Sequence, residues 1–177
     1  ARIEEELGVE VRVHDYARAT LRAVEILPSP DPSIDGFSRL GDTRDEVMAD
    51  LGDGSQFGAE ITFIPQDEPL GLAHCVLIAR EFLGDDDFVM YLGDNLLEQD
   101  LQAFVEAFEA ARAGAQPPAA QILLKEVDDP HRFGIATLDD ENHVVHLVEK
   151  PADPPSNLAL VGVYLFDREI HEAVAAI

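Results

Sequence analysis

Positive charge is scarce in this chain. Twelve Lys and Arg stand against 36 Asp and Glu in 177 residues, a formal net charge of −24 and a pI near 4.2. Such a surface repels phosphate, which excludes non-specific binding to nucleic acid or to an anionic membrane. Cysteine is nearly absent. With Cys75 alone, neither an internal disulfide nor a CxxC metal site can form. Its apolar neighbours point to a buried, inert thiol rather than a nucleophile. Long hydrophobic runs are missing too: none reaches the roughly 18 residues of a membrane span, and no signal-peptide pattern opens the chain. The first residue is Ala rather than Met, as expected of a piece of something longer or of a processed product. Cytoplasm is the expected location, and a homo-oligomer is compatible with this composition.

What is present is an ordinary globular balance, 46% apolar and 27% charged, with enough chain for one domain and a real core. Residues 1–26 read as a short helix, a strand around Val9 to Val13 and another helix. LPSPDPSIDG (Leu27 to Gly36) is a proline-rich linker. DTRDEVMADLGDG then makes a short helix, capped by Asp42 or Thr43 and stopped by Gly52. Beyond it the pattern alternates: AEITFIP strand, LGLAHCVLIAREFL helix, DFVMYLGD strand, LQAFVEAFEAARAG helix, AAQILLKEV strand. Such alternation predicts βαβ units around a mostly parallel sheet. Ile61, Phe63, Val89, Tyr91, Ile122 and Leu124 are expected to form the sheet core on adjacent strands, with the helix over Leu70 to Phe82 packed on one face. From Phe133 the rhythm changes to FGIATLD, ENHVVHLVEKP and LALVGVYLFD, short strands with an Asp-Asp-Glu-Asn turn that predicts a hairpin or meander added to the sheet. DREIHEAVAAI begins a last helix, capped by Asp167.

Three places could carry chemistry. In FVMYLGDNLL an apolar strand runs into Gly93-Asp94-Asn95. In open α/β sheets ligands bind beyond the carboxyl ends of strands, and Mg²⁺ takes only one or two protein carboxylates plus phosphates. Asp94 is therefore either a metal ligand or part of a plain turn. PQDEPLGLAH follows a strand and opens a helix. Free N–H groups near Gly71 and Leu72 are available there, and Gln66 carries the donor and acceptor that suit a nucleobase edge. VEKP ends another strand. Glu149 can accept from sugar hydroxyls and Lys150 can neutralise a phosphate. Strand alternation sends neighbours to opposite faces, so both serve one ligand only if the strand bends or stops, which Pro151 favours. The six histidines read as structural or surface groups; His143 and His146 point to opposite faces, and His74 has no second ligand at helical spacing.

PQDEPLGLAHCVLIAREFLGDDDFVMYLGDN, DDPHRFGIATLD and VEKPADPPSNLALVGVYLFD, in that order, resemble the sugar-phosphate nucleotidyltransferases, nearest to the long-form glucose-1-phosphate thymidylyltransferases. The resemblance runs from about Gly41 to Asp167. It implies a Rossmann-like α/β nucleotidyltransferase core, incomplete here, in residues 41–177, with residues 1–40 an atypical N-terminal segment. It implies transfer of a deoxythymidylyl group from dTTP to glucose-1-phosphate with Mg²⁺, giving dTDP-glucose and pyrophosphate. By the same resemblance Gln66 and Gly71 contact the base, and Asp94 binds the metal. Leu92, Gly134, Glu149, Leu160 and Gly162 line the sugar pocket, and Lys150 meets the sugar phosphate. Gln66, Gly71, Asp94, Glu149 and Lys150 are then expected around one cleft. UTP in place of dTTP remains open, because thymine and uracil differ by one methyl. So does a non-catalytic nucleotide-sugar-binding role. The family's Gly-rich loop, G-x-G-T-R-L-x-P, has no counterpart in residues 1–40, and its second metal aspartate falls beyond Ile177, so the pattern is expected to be truncated at both ends.

Overall fold

The computed structural model of the chain describes residues 21–28, 38–67, 70–93, 95, 97 and 101–177. They form two compact units, Ala1–Leu70 and Gly71–Ile177. Of residues 1–26, the helix and strand expected over 1–20 lie outside the described residues.

In the first unit, β1 (Leu21–Pro28) pairs in parallel with β2 (Ala59–Gln66), Leu21 opposite Ala59 and Pro28 opposite Gln66. The expected helix over residues 21–26 is thus a strand. LRAVEILP is too short for its period to separate helix from strand, and the ladder with β2 decides. Between them, α1 (Ser38–Leu51) starts four residues before the expected Asp42 cap and stops at Gly52, whose N–H reaches Met48 O at 3.0 Å.

The second unit is built on β7 (Leu158–Phe166), LALVGVYLF, whose apolar residues suit a strand buried on both faces. Ala159, Val163 and Leu165 are buried. Along one edge β7 pairs antiparallel with β4 (Ala120–Glu126), from Phe166 opposite Ala120 to Leu158 opposite Glu126. Its other edge is shared. β3 (Phe88–Tyr91) takes residues 163–166, and β5 (Gly134–Leu138) takes Leu158 and Ala159. β6 (Val144–Glu149) pairs with β5 as the expected hairpin. Its turn closes through Asp139 N–H to His143 O at 2.9 Å, with Asn142 at φ 64°.

The fold is α/β with a mixed set of strands. The expected adjacency and parallel order need correcting, as does the expected core, since Val89 and Tyr91 are exposed. Among the described residues the parallel pair is β1–β2, every registered pair of the five-stranded sheet is antiparallel, and β2 has no ladder with β3. The reason is β7. It lies between β3 and β4, so these two strands, joined through α4 (Leu101–Arg112), run the same way without touching as neighbours.

Helices cover the sheet where its apolar side chains demand it. The expected single helix after Leu70 is two pieces, α2 (Leu72–Ile78) and α3 (Arg80–Leu83). Val76 of α2, Met90, Tyr164, Phe166 and Val174 of α5 (Ile170–Ala175) line an apolar cavity of about 260 Å³. Asp167 accepts from Glu169 N–H at 2.8 Å, but the helix is capped at Glu169 without a side-chain bond, so the expected Asp167 cap is corrected to a turn two residues ahead of that position. The other Asp167 oxygen takes Arg112 at 2.6 Å. No described helix is long and apolar enough to cross a membrane.

Candidate nucleotide-sugar site

β3 and β5 both dock on one edge of β7 but leave residues 160–162 between them. Leu160, Val161 and Gly162 therefore face a notch bounded by the end of β3 and the start of β5. Five of the residues singled out in the sequence meet here. Leu92 follows β3 and donates its N–H to Gly162 O at 2.9 Å. Gly134 opens β5; a Cβ there would lie 3.1 Å from Glu149 Oε2 and 3.7 Å from Leu160 Cδ1. Glu149 is the last residue of β6, opposite Gly134.

Gly162 is the one position in β7 that requires glycine. Its φ is +75°, and a Cβ would stand 2.7 Å from both Leu92 Cδ1 and Asn95 Nδ2. Such a contact cannot be met without displacing Leu92 or Asn95. The missing side chain is what lets the Leu92–Asn95 turn lie close against the strand.

The VEKP segment does bend. Lys150 has φ +43°, its N–H reaches back to Phe133 O at 3.0 Å, and its Nζ lies 3.3 Å from Glu149 Oε1. Two residues that strand alternation would separate thus present their charged ends on one side. His131 Nδ1 adds a hydrogen bond to Pro151 O at 3.1 Å, fixing the exit from β6. Nearby Tyr164, half-buried on β7, has its phenol pushed above the usual value, first by burial and then by the Glu149 charge.

Asp94 lies outside the described residues. Gly71 precedes α2 with φ +85° and ψ −173°, a backbone open to glycine. Gln66 ends β2 in the first unit and is buried. Cys75 is half-buried rather than fully buried, and its thiol lies 3.5 Å from Gly71 O. Among the described residues no three His, Cys, Asp or Glu side chains are grouped to hold a metal ion.

The sequence reading missed Tyr91 and Asn95. The Tyr91 hydroxyl donates to Asn95 O at 2.7 Å, and Asn95 Nδ2 donates to Leu92 O at 3.2 Å. Only the i, i+4 spacing of a tyrosine and the residue that ends the turn could have signalled this.

Comparison with protein families matches the nucleotidyl transferases over residues 41–176. The chain belongs to that family. It is 56% identical over 138 residues to a glucose-1-phosphate thymidylyltransferase of Streptomyces griseus, covering 78% of this chain and 38% of the relative. The chain thus spans well under half the length of that curated relative. Among solved structures it is similar to a Bacillus anthracis protein, provisionally named a glucose-1-phosphate thymidylyltransferase and solved with sucrose. There the TM-score is 0.70 at 25% identity, over 90% of this chain and 76% of that one. A UTP-bound UGPase from Acinetobacter baumannii gives 0.61 at 25% identity, over 86% and 60%.

Proposed function

We infer that this chain carries the sugar side, and part of the base side, of a nucleotidyltransferase that joins dTTP and glucose-1-phosphate into dTDP-glucose and pyrophosphate in the cytoplasm. The observation that carries the reading is the gathering of Leu92, Gly134, Glu149, Leu160 and Gly162 at the notch in β7, in a chain 56% identical to a glucose-1-phosphate thymidylyltransferase.

The reaction is an in-line displacement: a sugar-phosphate oxygen attacks the α-phosphorus of the nucleotide and pyrophosphate leaves. It needs no protein nucleophile, only positioning and neutralised charge. Glu149 accepts from sugar hydroxyls. Lys150, already turned to the same side, exchanges its pairing with Glu149 for the sugar phosphate. Gly134 and Gly162 leave the space, and Leu92 and Leu160 supply apolar walls. Gln66 and Gly71 recognise the base edge. A Mg²⁺ ion bound through one or two carboxylates and substrate phosphates needs no closed cage of protein ligands. Asp94 is the residue that would hold it, and when bound the ion lowers the repulsion between the two polyanions.

UTP in place of dTTP is the second reading, favoured by the similarity to a UTP-bound UGPase. Calorimetric binding of dTDP-glucose and UDP-glucose to the chain, with and without Mg²⁺, tests both readings. Tighter binding of dTDP-glucose supports the first. Preference for UDP-glucose supports the second, and binding of neither removes the nucleotide-sugar site from this polypeptide.

A further inference from the structure

The geometry points to Tyr91 as a positioning residue of the sugar notch, its hydroxyl holding the Leu92–Asn95 turn against Gly162. This rests on the reading of the notch as a sugar site.

Besides the Asn95 Nδ2 bond to Leu92 O within the turn, three hydrogen bonds fasten it. Leu92 N–H is bound to Gly162 O at 2.9 Å, and Asn95 N–H returns to Leu92 O at 3.1 Å. The third is the Tyr91 hydroxyl on Asn95 O at 2.7 Å. The first joins the turn to β7 and the second closes it. The third spans it, from the last residue of β3 to the residue that ends the turn. It is the bond that ties the end of the turn back to the end of β3, beside the contacts that Asn95 and Leu92 make with Gly162. Tyr91 itself is 39% exposed, and its hydroxyl is bound to the backbone of the turn rather than to a core group. What the hydroxyl does hold is the wall of the notch. Tyr91 lies at the strand end, so it need not touch the sugar to affect it.

Tyr91→Phe removes the oxygen and keeps the ring. Two measurements on the 177-residue chain decide the role. The first needs no ligand: the nuclear Overhauser contact between the Leu92 methyls and Gly162 Hα. It is expected in the unsubstituted chain and weakened or lost in Tyr91→Phe; an unchanged contact overturns the positioning role. The second compares dTDP-glucose with dTDP by calorimetry. Tyr91→Phe is expected to weaken dTDP-glucose by about three- to tenfold, the factor set by one neutral hydrogen bond, and dTDP by less than about twofold. Equal weakening of both ligands, or a lowered melting temperature with an unchanged ratio, marks a merely structural tyrosine and overturns the proposal. Leu92→Ala is the comparison, expected to lower the same ratio. If the unsubstituted chain binds neither ligand, the reading of the notch as a sugar site fails. The Overhauser contact then judges the attachment of the turn alone, its loss in Tyr91→Phe upholding that part and its survival ending it.

Discussion

The ammonium of Lys150 and the carboxylate of Glu149 meet at 3.3 Å although the residues are consecutive at a strand end. A left-handed backbone at Lys150, φ +43°, is what brings them to one side. The side chains are 65% and 72% exposed, so the pair stabilises the fold by less than about 1 kcal/mol and can be exchanged for ligand groups at little cost. Glu149→Gln is expected to leave the denaturation midpoint nearly unchanged and to weaken dTDP-glucose about tenfold or more, as loss of a charged hydrogen-bond acceptor does. Binding of dTDP, which lacks the sugar, is expected to hold. Parallel calorimetry and urea melts check both.

Tyr164 reports on the same carboxylate. Its phenol is raised above 10.0, first by burial and second by Glu149. A group whose folded pKa lies above its unfolded one contributes stability below the unfolded value and loses it as pH rises through the folded value. The chain is therefore expected to lose stability above about pH 10. Phenolate absorbance should titrate later in the folded chain than in the unfolded one. In Glu149→Gln the Tyr164 titration moves only part of the way back, since burial is the larger cause. A full return would place the whole effect on Glu149.

Gly162→Ala combines a left-handed φ with a Cβ 2.7 Å from Leu92 and Asn95. Strain of that kind costs about 1–3 kcal/mol, and the overlap adds to it. A loss of about 2 kcal/mol or more in urea unfolding is expected, together with weaker dTDP-glucose binding. A neutral Gly162→Ala would mean that the turn moves aside freely.

Much of this site was legible in the sequence because its parts are local. VEKP announces a strand that stops at a proline, and the Asp-Asp-Glu-Asn turn announces the β5–β6 hairpin. In each case residues within a few positions determine the backbone. The sheet order was not legible. LALVGVYLF declares a strand buried on both faces, but nothing in it names its partners. The helix-linked strands β3 and β4 were therefore expected side by side, where β7 intervenes. Leu21–Pro28 became a strand through a ladder to β2 more than thirty residues away. The Arg112–Asp167 pair is equally non-local, spanning 55 positions.

That pair makes a stability test. Asp167 is 5% exposed, and Arg112 bridges it at 2.6 Å and Asp87 at 3.0 Å. Removing Arg112 leaves a buried carboxylate without its cation, which costs up to about 3–5 kcal/mol where both partners are buried. With the Arg112 side chain 31% exposed, about 2 kcal/mol is expected for Arg112→Met. Asp87 has a side chain 41% exposed, and Asp87→Asn is expected to cost under about 1 kcal/mol. Equal costs in urea melts would mean that the two arms of the bridge are equivalent.

Turnover is the most demanding test. Nothing of the form G-x-G-T-R-L-x-P occurs in residues 1–40, and the chain carries 24 more negative than positive charges. A positioned set of donors on a transferring phosphoryl group contributes several kcal/mol to the transition state, and each ~1.4 kcal/mol lost slows the reaction tenfold. The 177-residue polypeptide is therefore expected to bind nucleotide-sugar far better than it forms it. Pyrophosphate release with dTTP, glucose-1-phosphate and Mg²⁺ should fall below the ordinary enzyme range of about 1–10³ s⁻¹. A rate inside that range would mean that residues 1–40 or a second chain rebuild the phosphate clamp. Asp94→Asn is the matched variant. It should weaken the Mg²⁺-dependent part of nucleotide binding and leave the melting temperature nearly unchanged. If neither moves, Asp94 is a turn residue and the metal is held elsewhere.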